Sequence, residues 1–347
     1  MPQAKAKKFA QAIRQRGWLG KLTAYLKALG PGRRWPPAVH TFSIFACCRL
    51  WLENMACIRS LAVADKEREH MLRSLLVGVD GSEYSTAAVE LGIQWARRSG
   101  AVLVGLGIID APTISKPEPM PLGGSAYKVH HDASLLADAS HKVEQFLEHC
   151  ARRCAETDVA CQILQDIGLP AEQILLEAQR YDLILLGQHT FFHFETQQQS
   201  DDTLHIVLKQ SPRPVVAVPA TLPEGRVAVV AYDGSLHAAR ALHLLQVLGL
   251  ASSQEVHVVC VDPDQEHADR CVERALAFLH SHHIVAQAYA CATAAAPAHM
   301  LLEHVHQVQA SLLVMGAYGR STLREFFGGS VTRTMLRESP VPLFLYH

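Results

Sequence analysis

The sequence predicts an α/β protein made of two tandem copies of a five-stranded parallel sheet, doubly wound with helices on both faces. Three observations lead there. Landmarks recur in one order: Leu76-Val-Gly-Val-Asp-Gly-Ser82 returns as Val229-Val-Ala-Tyr-Asp-Gly-Ser235. Asp182-Leu-Ile-Leu-Leu-Gly187 returns as Ser311-Leu-Leu-Val-Met-Gly316, and Ser211-Pro-Arg-Pro214 as Ser339-Pro-Val-Pro342. Within each copy, short apolar strands alternate with amphipathic helices, the pattern of right-handed crossovers in a parallel sheet. A glycine-bounded loop also follows one of those strands directly and leads into a helix.

In the second copy, Arg226–Tyr232 reads as an apolar strand that ends at Asp233-Gly-Ser235. That tripeptide is turn and helix-cap chemistry, and it starts a helix over Leu236–Leu248. Glu255–Val261 is a strand, Asp264–His282 an amphipathic helix and Val285–Ala292 a strand. Ala296–Val308 is a helix, Ser311–Gly316 a buried strand, Ser330–Glu338 a helix, and Pro342–Tyr346 the closing strand. Thr221-Leu-Pro-Glu-Gly225 links the copies. The first copy has a longer interval between its first two landmarks, assigned mostly to the Pro- and Gly-rich stretch Ala111–Ser125. In such sheets ligands bind beyond the carboxyl ends of the strands, where Asp233 and Gly316 both fall.

The loop runs Gly316-Ala-Tyr-Gly319, an arc of nine residues, then Gly329-Ser330. Glycines let a backbone approach phosphate oxygens, and the unpaired N–H groups of a helix start attract an anion. Ser330 adds a hydroxyl near the cap. This is not a P-loop: Gly329-Ser330 lacks the lysine that reaches the β/γ-phosphates, and the loop's charged groups are Arg320, Arg324 and Glu325. A loop that binds nothing is the bland alternative, and a nucleotide is the reading preferred here.

The chain has 347 residues, 49% hydrophobic and 19% charged, so it can bury proper cores. A formal net charge of −1 argues against a general nucleic-acid binder. The charge is uneven: residues 1–64 carry eleven Lys and Arg, from Lys5 to Arg59, against Glu53 alone. Nine scattered cysteines make a disulfide framework improbable and a reducing cytoplasm the default. No apolar run reaches the roughly 18 residues a membrane helix needs. The nearest, Thr41–Ile58, is broken by Arg49 and Glu53. Residues 1–70 stand outside the repeat as a basic extension. The preferred expectation is that Met71 is the true start, with the upstream segment disordered or not made. The rival is a basic arm with weak helices over Ala4–Arg16 and Leu19–Leu29.

The pattern G-x2-G-x9-G-[S/T], the Asp-Gly-Ser turn after a first strand and the closing Ser-Pro-x-Pro strand together resemble the universal stress protein family, and two copies resemble its tandem members. The resemblance covers Met71 to His347, as copies over 71–221 and 226–347. It implies a Rossmann-like five-stranded sheet, ATP as ligand (with or without Mg2+), a cytoplasmic stress-response role and no strong enzymatic activity. It also implies pairing through the last strand, as an internal pseudo-dimer of the two copies or a homodimer. Carried over, Asp233 would contact the adenosine and Val261 would lie near the base. Met315 and Gly316 would line the nucleotide, while Gly319, Arg320, Gly329, Ser330 and Val331 would surround the phosphates.

The first copy departs from that pattern. Thr190 stands where Gly319 does, and Asp201-Asp202 stand where Gly329-Ser330 do. Two carboxylates there would repel a triphosphate, so this copy is read as a scaffold or pairing partner, or as the holder of an uncharged ligand. Cys150 and Cys154, one helical turn apart beside His149, have metal-ligand spacing but no second pair, and a packed or solvated helix face is preferred. Arg333 and Arg337 are expected to face phosphate or solvent, and one turn into a helix solvent is the preferred reading. The functional expectation is a regulatory protein in which ATP orders Tyr318–Gly328 and biases a surface toward a partner. A slow Mg-dependent ATPase and a non-nucleotide interaction module are the alternatives. No positioned general base is visible.

Overall fold

The computed structural model describes residues 72–117, 125–193, 201–252, 254–317 and 330–347, all within one compact unit, Glu67–His347. The basic extension, residues 1–70, and most of the glycine loop therefore lie outside the described residues. Among the described residues no helix is long and apolar enough to cross a membrane.

The first copy runs β1 (Ser74–Gly78), α1 (Glu83–Ser99), β2 (Val102–Ile109), the single turn α2 (Ala111–Ile114), α3 (Ser125–Glu156), β3 (Cys161–Ile167), α4 (Pro170–Ala178), β4 (Leu183–Gly187), α5 (Thr203–Gln210) and β5 (Val215–Val218). The second runs β6 (Val227–Ala231), α6 (Leu236–Val247), β7 (Glu255–Asp262), α7 (Gln265–Ser281), β8 (Ala286–Ala292), α8 (Pro297–Gln307), β9 (Ala310–Gly316), α9 (Ser330–Glu338) and β10 (Leu343–Tyr346). Corresponding helices start by the same local chemistry. Ser82 and Ser235 cap α1 and α6, accepting from Ser85 N and Ala238 N. The turn before each cap needs a left-handed residue, supplied by Gly81 (φ 78°) and Gly234 (φ 74°). Pro170 and Pro297 open α4 and α8, where a missing N–H costs nothing.

The ten strands among the described residues form one sheet in the order β3-β2-β1-β4-β5-β10-β9-β6-β7-β8. Pairing is parallel within each copy. The copies meet at an antiparallel step, with Leu343, Phe344 and Leu345 opposite Ala217, Val216 and Val215. The central strands are buried along their length, β4 completely, while β3 and β8 at the two edges are partly exposed. One core layer lies on each face of the sheet, and each layer takes residues from both copies. Leu103, Val216, Phe344 and Val258 share one; Ile184, Ala217, Leu345 and Val229 share the other. Gln188, just past β4, donates its side-chain amide to Leu336 O at 2.6 Å, tying the first copy to the end of α9.

The length difference between the copies has a cause that the sequence left unseen. The Pro- and Gly-rich stretch accounts for only part of it, because α3 spans 32 residues where α7 spans 17.

Candidate functional site

In the second copy the chain runs from β6 outward to β7 and β8, then returns to β9 and β10 on the other side of β6. The switch point therefore lies between β6 and β9, whose Ala231 and Met315 are paired. Asp233 follows β6 and Gly316 ends β9, so the fold brings both to the carboxyl edge of this crevice. Val261, partly exposed, lies near the end of the adjacent β7; Met315 is buried. Ser330 opens α9, and Val331, half-buried, packs against the core layer on that face. Gly319, Arg320 and Gly329 lie outside the described residues. Arg333 and Arg337 are exposed, as expected, and Arg337 pairs with Glu338.

Gly316 has a packing reason of its own. A Cβ there would meet Ala238 N at 2.4 Å and the His237 carbonyl carbon at 2.5 Å, because the start of α6 passes directly over the end of β9. Gly187 does the same work in the first copy, where a Cβ would meet Tyr84 Cβ at 2.7 Å and His189 O at 2.8 Å. The glycine is kept in a copy that lacks the phosphate pattern, so by itself it says little about a ligand.

The two Asp-Gly-Ser turns differ more tellingly. Asp80 is buried and both of its oxygens are used. Oδ1 accepts from Ser82 N at 2.9 Å and Ser82 Oγ at 2.6 Å, and Oδ2 accepts from Phe191 N at 2.7 Å. Asp233 is only half-buried. Its Oδ1 accepts from Ser235 N at 2.9 Å, and among the described residues nothing bonds to Oδ2. Beside it, His237 Nδ1 is buried with no hydrogen-bond partner among the described residues. Sequence reading missed His237. Its position two residues past the Asp-Gly-Ser turn was the available signal.

The corresponding space in the first copy is taken by its own chain. Phe192 is buried in the core, and Tyr84 packs on His189 and Phe191 at ring separations of 5.0 and 6.4 Å. Asp201 Oδ2 accepts from Phe192 N at 2.8 Å while its Oδ1 accepts from Thr203 N at 2.9 Å. The second of these bonds satisfies a donor at the start of α5. Asp202, in the cap position, makes no such bond. His193 Nδ1 lies 2.5 Å from Asp110 Oδ2, and its Nε2 lies 3.9 Å from Asp201. The Asp110 hydrogen bond holds the His193 pKa above its ordinary value against the opposing effect of burial. At Asp110, burial pushes upward, but bonds from His193 and Thr113 outweigh it and the pKa is lowered. Thus Asp201, one of the two carboxylates that argued for phosphate repulsion, anchors a segment folded into the crevice.

Two doubly wound five-stranded copies, joined edge to edge with a crevice at each switch point, define a tandem Rossmann-like α/β protein. Residues 71–219 and 226–347 each match the family model described as the universal stress protein family, and the chain belongs to that family. Universal stress protein Slr1230 from Synechocystis sp. is 22% identical over 297 residues, spanning 79% of this chain and 100% of its own. A universal stress protein structure from Archaeoglobus fulgidus superposes with a TM-score of 0.60 at 19% identity, covering 78% of this chain and 97% of that one. A putative universal stress protein from Pseudomonas aeruginosa gives 0.50 at 16% identity, covering 80% and 94%. At these identities the structural likeness speaks for the fold alone.

Proposed function

We propose that this protein is a cytoplasmic stress-response regulator that binds one ATP, with or without Mg2+, in the crevice of its second copy. On this reading residues 226–347 are the binding copy and 71–221 the scaffold. Asp233, Val261, Met315 and Gly316 hold the nucleoside, and Gly319, Arg320, Gly329, Ser330 and Val331 receive the phosphates. Nucleotide then shifts the protein toward a partner or a dimer, by no more than its difference in affinity for the two states. The observation that carries the reading is the contrast between the copies. The carboxylate and the crevice are filled internally in the first, whereas among the described residues of the second Asp233 keeps an open acceptor oxygen and His237 an imidazole nitrogen without a partner. A buried polar atom without a partner, as His237 Nδ1 is among the described residues, is rare, and a ligand would satisfy it.

Calorimetric titration of the full chain with ATP and MgCl2 tests this. One equivalent per chain is expected, weakened at least tenfold by Asp233→Ala and abolished by Gly329→Asp, with Asp80→Ala leaving the stoichiometry unchanged. Heat absent from well-folded protein would refute the site. Steady phosphate release in the same samples would replace the regulator with the slow ATPase.

A further inference from the structure

On the sequence alone, Cys150 and Cys154 lack further ligands; the fold supplies one. Cys161 opens β3, the strand that follows α3, and the three sulfur atoms all lie within 4.8 Å of one another. Cys150 and Cys154 are buried, whereas Cys161 is partly exposed on the edge strand of the sheet. Gly105 on β2 makes the room: a Cβ there would meet Cys150 Sγ at 3.1 Å.

The second copy is an internal control for whether this place in the fold needs sulfur. The turn between helix and edge strand is the same in both. Asp158 and His283 have φ of 57° and 60°, and Val159 N donates to Cys154 O as Ile284 N donates to Leu279 O, both at 3.0 Å. This match makes Ala275, Leu279 and Ala286 the counterparts of Cys150, Cys154 and Cys161. Packing is satisfied there by aliphatic side chains, with Ala275 and Leu279 fully buried. One thiol has a volume explanation: Gly105 and Cys150 stand where the other copy has Val258 and Ala275. No such exchange accounts for Cys154 in place of Leu279 together with Cys161 in place of Ala286.

We propose that Cys150, Cys154 and Cys161 form a binding site for a thiophilic d10 metal ion, Zn2+ or Cu+, in the first copy. Thiolates select such soft ions. Zinc–sulfur bonds of about 2.3 Å place tetrahedral sulfurs about 3.8 Å apart, so the observed spacing closes with side-chain adjustments on the order of 1 Å. Each thiol releases its proton to solvent as its metal–sulfur bond forms. Cu+ is satisfied by three sulfurs, and Zn2+ takes water as its fourth ligand. A cavity of about 200 Å³ lined by Cys150, Glu90, His149 and Arg153 lies alongside.

The test uses the full chain, reduced and oxygen-free, titrated separately with Zn2+, with Cu+ and with Co2+ as a spectroscopic stand-in for zinc. The triple variant Cys150→Ala, Cys154→Leu, Cys161→Ala installs the residues the second copy already carries, and circular dichroism checks its fold. Expected is the loss of one tightly held equivalent of Zn2+ or Cu+ per chain relative to wild type, with loss of the thiolate-to-cobalt charge-transfer band. Cys161→Ser should weaken binding at least tenfold, and Cys271→Ser should leave it unchanged. Native mass spectrometry of the chain as purified identifies which of the two ions it holds. Equal metal in wild type and folded triple variant, or no metal in either, overturns the proposal. So does a Cys154–Cys161 disulfide as the sole chemistry of the cluster by mass spectrometry.

Discussion

His193 carries a pH dependence whose sign follows from its two partners. Its folded pKa is raised above 6.5, so its contribution to stability is complete below 6.5 and is lost as pH climbs through the folded value. Asp110 is depressed below 3.8, so its contribution is complete above 3.8 and is lost as pH falls through the folded value. The pair is therefore at full strength between those limits. With His193 one-fifth exposed, solvent screening trims a charge-assisted bond to about 1–2 kcal/mol. Denaturant unfolding of wild type and His193→Asn across pH should show that difference between pH 4 and 6.5, shrinking toward pH 9. A difference that grows with alkalinity would mean the imidazole is neutral in the folded protein and the ion pair is absent.

At the scale of elements, the strands and helices of the second copy were legible because each is short, apolar or amphipathic, and bounded by its own turn chemistry. The helix expected over Ser330–Glu338 is α9, and the strand expected over Glu255–Val261 is β7 with one residue added. What stayed hidden depends on residues far apart in the chain. The bond from Phe191 N to Asp80 and the pairing of His193 with Asp110 cross 111 and 83 residues, and no local period encodes them. The convergence of Cys161 on Cys150 and Cys154 required the turn after α3. The glycine at the end of β9 was read as a ligand feature, yet it lies under the start of a helix, as does its counterpart Gly187 at the end of β4. That reading makes a matched prediction. Gly187→Ala and Gly316→Ala should each destabilise by about 1–3 kcal/mol through overpacking, measured by urea denaturation without nucleotide. A neutral Gly316→Ala beside a costly Gly187→Ala would return Gly316 to a purely ligand-binding role.

Across the whole molecule, the antiparallel step between β5 and β10 decides how the copies behave. Each last strand would otherwise be an open edge, a template for pairing with another chain. Here each covers the other, and both core layers continue across the step. Residues such as Val216 and Phe344 are thus buried by the partner copy as well as their own, and unfolding one copy strips apolar cover from the other. The two copies should therefore melt together in a single calorimetric transition. Ala217→Pro, opposite Leu343 in a strand paired on both sides, removes a ladder donor on the side facing β10, in the middle of a sheet where proline is essentially not tolerated. Because the lesion sits at the seam, it should split the melt into two transitions and raise the dimer fraction in sedimentation as freed β10 edges find one another. Two transitions in the wild type would mean that the continuous sheet joins the copies without coupling their stability. The filled crevice of the first copy could then have no bearing on the second.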